Sequence, residues 1–134
     1  MLSVKKQIEY WRDSAAQSYD AMMVLKNGGK YSESLFFGHL VLEKILKAFV
    51  VLQTSQDAPK IHNLARLVEL ADLELDKDTK EYFSVANSFN IRARYDDYKK
   101  SFYKICTKEY TENNLEKIIK IYNDLCRQLK SKIS

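Results

Sequence analysis

Apolar residues recur along this chain at spacings of three and four, and one stretch has almost no polar face. In residues 31–52 (YSESLFFGHLVLEKILKAFVVL), Leu35, Phe36, Phe37, Leu40, Val41, Leu42, Ile45, Leu46, Phe49, Val50, Val51 and Leu52 cover most of a helical circumference. A helix apolar nearly all the way round has to be buried, so this segment is expected at the centre of the fold. One narrow polar stripe interrupts it. At about 100° per residue, His39, Glu43 and Lys47 follow one another at i, i+4 positions, with Lys44 at the stripe's edge.

The flanking pattern supplies the other elements. Val4, Ile8, Trp11, Ala15, Tyr19 and Met22 predict a first helix with Ser3 as its N-cap, ending at Asn27, Gly28 and Gly29. Two glycines there allow a left-handed cap and a short turn, which folds the next helix back antiparallel on the first. Ser32 is placed to cap the central helix, which is expected to run to about Thr54, before the polar loop 53–59 (QTSQDAP). Asn63 is placed to cap a short helix carrying Leu64, Leu67, Val68 and Ala71. Asp76 or Asp78 then starts a fourth helix, whose inner face of Tyr82, Phe83, Ala86 and Phe89 is expected to last to about Asn90. In residues 90–103 (NIRARYDDYKKSFY) the period breaks down, which reads as a functional loop or a frayed link. A last helix is expected from about Thr111, with Leu115, Ile118, Ile119, Tyr122, Leu125, Cys126, Leu129 and Ile133 on its stripe.

These elements make an all-α protein, an antiparallel bundle of four long helices plus one short one, in a single domain spanning residues 1–134. One Pro, three Gly and 30% charged residues agree with helices rather than sheet. The central helix is more apolar than a bundle of four requires. Covering that surplus with a second copy predicts a homodimer.

Composition narrows the chemistry. The N-terminus has no signal-like apolar core, and Glu33, His39, Glu43, Lys44 and Lys47 make membrane insertion of the central helix costly, so a soluble, cytoplasmic protein is expected. Cys106 and Cys126 have no second Cys or His at ligand spacing and read as reduced packing residues. No metal and no cofactor is called for. A net charge of +4, scattered over every helix, permits an anionic ligand without demanding one. No nucleophile stands out, since neither Ser34 nor Ser101 has an inferable His partner.

Three separated motifs in order carry a family resemblance: Glu43, Lys44, Lys47 and Ala48; His62, Asn63 and Leu64; and Ala93, Arg94, Tyr95 and Asp96. Over residues 11–122 the chain resembles the HEPN domain, the "higher eukaryotes and prokaryotes nucleotide-binding" family of small helical bundles. The resemblance implies antiparallel helices, commonly a homodimer, and a role in one of several bacterial or archaeal systems. Some HEPN proteins are metal-independent ribonucleases acting as toxins, while others accompany a minimal nucleotidyltransferase in a two-component, toxin-antitoxin-like module. The ribonuclease branch carries an Arg followed, after four to six residues, by a His. None of Arg12, Arg66, Arg92, Arg94 and Arg127 has one, and His39 and His62 both lie earlier than that motif's place. The expectation is therefore a non-catalytic nucleotide-binding protein partnered with a nucleotidyltransferase. A divergent ribonuclease using His39 or His62 with Arg92 or Arg94 is the alternative.

The residues expected at a nucleotide site are His39, Glu43, Lys44, Lys47, Arg92, Arg94 and Tyr95. Lys44 or Lys47 would meet a phosphate, Glu43 would orient a lysine or take a ribose hydroxyl, and His39 would sit on the cleft floor. Arg92 and Arg94 would grip phosphate while a tyrosine face stacks on a base. The competing reading is structural. Glu43 and Lys47 would form a solvated pair worth about 0.2–0.5 kcal/mol, the Arg and Tyr cluster would clamp the fold, and His62 would bond to backbone at a helix start.

Overall fold

Six helices account for all the regular structure in residues 3–133, the part of the chain that the computed structural model describes. They are α1 (Val4–Asn27), α2 (Tyr31–Thr54), α3 (Leu64–Leu70), α4 (Lys77–Arg94), α5 (Asp96–Ile105) and α6 (Lys108–Ile133). Local chemistry sets most of their ends. The Ser3 hydroxyl accepts from the Lys6 amide at 3.2 Å, Asn63 Oδ1 from the Arg66 amide at 3.1 Å, and Asp76 Oδ1 from the Thr79 amide at 2.7 Å. Each of these satisfies an amide that the first helical turn leaves without a partner. Gly29, at φ +76, supplies the left-handed residue that closes α1 and reverses the chain into α2.

α2 lies at the centre. α1 packs antiparallel along it, and α6, α4 and α3 cover its remaining sides. Leu35, Val41, Leu42, Ile45, Leu46, Ala48, Phe49, Val50 and Val51 are each 2% exposed or less. At Gly38 an added Cβ would lie 2.7 Å from Ile118 Cδ1. The missing side chain therefore lets α6 close on α2. The Ser34 hydroxyl donates to the Met22 carbonyl at 2.8 Å and fixes α1 against α2 in register. No described helix is long and apolar enough to cross a membrane.

Several expectations need correction. There are two short helices, not one, because α5 occupies most of the segment whose period breaks down. α4 runs through Asn90 to Arg94. Tyr95 then adopts an extended conformation (φ −91, ψ 129), which ends α4 and starts α5 in a new phase. That interruption, together with a single buried residue in α5, Phe102, accounts for the lost periodicity. α6 begins at Lys108, three residues before Thr111. Ser32 does not cap α2, which starts one residue earlier. Its hydroxyl instead donates to Glu33 Oε1 at 2.6 Å. Most of the apolar surface of α2 is covered within the chain itself, with Phe36, Phe37, Leu40 and Leu52 left half-buried, and the exposed large apolar residues include Ile91, Tyr95, Tyr98, Tyr103 and Ile105 of the α4–α5 region.

Candidate functional site

The polar stripe of α2 is buried and paired. His39, Glu43 and Lys47 are 0%, 4% and 5% exposed, a placement that strongly penalises any unpaired charge. Glu43 Oε2 accepts from Lys47 Nζ at 3.0 Å and Oε1 accepts from His62 Nδ1 at 2.9 Å. The Lys47 ammonium also lies 5.2 Å from the centroid of the Trp11 ring on α1, a cation–π contact. His62, on the loop before α3, closes the stripe from outside with its own ring still half exposed.

The neutral His39 ring has one consistent hydrogen-bonding arrangement, although its Nδ1 also lies 3.8 Å from Glu43 Oε1. Its Nε2 lies 2.8 Å from the carbonyl oxygen of His62. A carbonyl only accepts, so Nε2 carries the proton and donates. Its Nδ1, left as an acceptor in the neutral ring, faces the Asn90 side-chain amide nitrogen at 3.4 Å. Burial holds the His39 pKa below its ordinary value of 6.5, with Glu43 opposing that shift. Asn87, one turn earlier on α4, flanks the same imidazole and accepts from the Leu64 amide at 2.9 Å.

The network reaches the surface through α4. Asn90 is 6% exposed, and its Oδ1 accepts from Arg94 Nη1 at 2.9 Å. Arg94 lines a cleft of about 580 Å³ between the first turns of α2, the end of α4 and α5. Phe36 and Phe37 of α2 form one wall and Tyr103 of α5 stands on the other. Arg94, Lys99 and Lys100 bring three cations to this apolar hollow, and Glu33 is the carboxylate on its rim. A few polar groups converging on a largely apolar concavity is the usual form of a small-molecule site.

The expected site residues therefore divide. His39, Glu43 and Lys47 come together with His62, but in a closed network below the surface instead of on an open cleft wall. Arg94 joins that network through Asn90 and also reaches the cleft. Tyr95 is beside it, with its ring centroid 5.6 Å from the Arg94 guanidinium carbon. Lys44 turns toward α1 and donates to the Ser18 hydroxyl at 2.8 Å, with its pKa lowered by burial. Arg92 lies 4.8 Å from the centroid of Phe102 and braces that ring, which stacks on Phe89 with centroids 5.8 Å apart. Asn90, Lys99, Lys100 and the Phe36–Phe37 wall escaped sequence reasoning. The one signal for Asn90 was its place four residues after Ala86 on the inner face of an aromatic helix.

Among the described residues, no group of three or more His, Cys, Asp or Glu side chains is placed to hold a metal ion. Cys106 and Cys126 are free thiols, and burial raises the pKa of both, that of Cys106 to about 11.

A family model described as "HEPN domain" matches residues 8–131. The crystal structure of TT1696 from Thermus thermophilus superposes with a TM-score of 0.73 over 94% of this chain and 98% of that one, at 18% sequence identity. At that identity the likeness is one of fold. No curated protein sequence matches the chain significantly.

Proposed function

The chain belongs to the HEPN domain family, and from that premise we propose that it is a non-catalytic nucleotide-binding protein working beside a separate minimal nucleotidyltransferase in a two-component module. The observation that carries the binding half is the cleft, where Arg94, Lys99 and Lys100 surround a wall of Phe36 and Phe37. Aromatic faces take a base and cations take phosphates, and a guanidinium matches phosphate geometry with paired N–H groups. The volume of about 580 Å³ suits a ligand the size of a nucleotide.

The non-catalytic half rests on the histidines. His39 is sealed in the core, and both of its ring nitrogens have partners. A general acid or base has to reach the proton it moves, and His39 is shut off from any ligand. The nucleotidyltransferase partnership rests on the family alone. A homodimer agrees best with the exposed Ile91, Tyr98 and Ile105 of the α4–α5 face, since most of α2 is already covered.

One observation favours the ribonuclease reading. His62 donates from Nδ1 to the buried Glu43 carboxylate while its ring stays half exposed, the arrangement in which a carboxylate orients a base. Incubating the purified protein with RNA separates the two readings. We expect no cleavage above background. Metal-independent cleavage that disappears in Arg94→Ala or His62→Ala would replace the binding reading with the nuclease one. Calorimetry with ATP tests binding itself, with saturable heat expected for the wild type and at least tenfold weaker affinity, about 1.4 kcal/mol, for Arg94→Ala.

A further inference from the structure

A continuous run of hydrogen bonds joins the loop before α3 to the cleft, and with His39 neutral each polar atom along it has one permitted role. The His62 carbonyl can only accept, so it fixes the proton on His39 Nε2. The neutral imidazole then offers Nδ1 as an acceptor, which selects the NH2 end of the Asn90 amide at 3.4 Å. That turns Oδ1 of Asn90 outward to Arg94 Nη1 at 2.9 Å. A flipped Asn90 amide would set Oδ1 against the His39 lone pair and NH2 against the guanidinium N–H, losing both bonds at once. Asn90 is 6% exposed and His39 is fully buried, so water cannot replace those bonds cheaply.

We infer that Asn90, oriented by His39 and the His62 peptide, is a positioning residue that sets the Arg94 guanidinium at the cleft. The inference rests on the cleft being a phosphate-binding site, as proposed above. Arginine is long and rotamer-rich, and a surface arginine loses much of that freedom when it grips a ligand. Here one of its five N–H donors is committed to Asn90, and the Tyr95 ring lies 5.6 Å from the guanidinium carbon. The side chain is thus held before a ligand arrives, and its remaining donors are available to an anion. Asn90 itself does not line the cleft, so its effect on binding has to pass through Arg94.

A double-mutant cycle tests this, with ATP affinity as one readout and the Arg94 guanidinium NMR signals as the other. Asn90→Leu fills the volume and removes both hydrogen bonds, and Asn90→Ala serves if the leucine variant does not fold. In the wild type, the Arg94 Nη protons are expected to exchange and rotate slowly. Either Asn90 variant should average those signals and weaken ATP binding by about tenfold. In an Arg94→Ala background the same Asn90 change should have no further effect on ATP affinity, an outcome that a merely structural role would not produce. Restrained Arg94 signals in an Asn90 variant that binds ATP like the wild type would overturn the inference. So would equal, additive losses from Asn90 in both backgrounds. If the wild type fails to bind ATP but its Arg94 signals are restrained through Asn90, the positioning stands and the ligand assignment falls.

Discussion

Glu43 is the residue on which the buried stripe depends, because it alone carries negative charge between Lys47 and His62. Glu43→Gln leaves the Lys47 ammonium in the core without a counter-charge and is expected to cost about 3–5 kcal/mol in urea unfolding. Glu43→Leu combined with Lys47→Met removes both charges and should recover much of that loss. His39 adds a pH dependence whose sign follows from its lowered pKa. The unfolded chain takes up the proton first as pH falls. The stability held by neutral His39 is therefore intact above its ordinary value of 6.5, and is lost as pH drops through that value toward the folded-state pKa. The slope from this group is at most about 1.4 kcal/mol per pH unit. Unfolding measured from pH 7.5 down to pH 5 should show that slope in the wild type and a flatter dependence in His39→Gln. At this scale the i, i+4 spacing made His39, Glu43 and Lys47 legible as a unit. Their partners were not legible, because His62 and Asn90 come from other segments and meet the stripe only in the folded chain.

α5 is the element that periodicity missed, and the cause is physical. Its ten residues bury only Phe102, and the extended Tyr95 shifts its phase relative to α4, so no repeat runs across the junction. One anchor also means weak attachment. Amide exchange in α5 is expected to be the fastest of the six helices, and Phe102→Ala, which removes the ring stacked on Phe89 and braced by Arg92, should raise it toward unprotected rates while α2 keeps its protection. The turn between α1 and α2 behaves in the opposite way. The paired glycines marked it plainly, and the left-handed φ of +76 at Gly29 gives the pairing its reason. Gly29→Ala should lower stability by about 1–2 kcal/mol in thermal or urea unfolding. Helix starts marked by Ser3, Asn63 and Asp76 were readable because each cap is a local bond. Ser32 misled, since a serine near a helix start has other local partners, here Glu33.

Across the whole molecule, the central place of α2 followed directly from its apolar circumference, whereas the cover for that surface did not. α1, α3, α4 and α6 bury most of it within one chain, which moves the expected contact between copies to Ile91, Tyr98 and Ile105. Light scattering should then report about twice the chain mass of 15.7 kDa, and Ile91→Glu with Tyr98→Glu should return it to the monomer. The cleft belongs to this scale as well. Its walls come from residues about sixty positions apart in the chain, a closure that no local pattern announces. Heteronuclear NMR during an ATP titration tests the cleft most directly. Saturable shifts should appear at Phe36, Arg94, Lys99 and Tyr103, and require about tenfold more ATP in Arg94→Ala. Shifts confined to α1 and α6, or none at millimolar ATP, would mean that the cleft is not the nucleotide site.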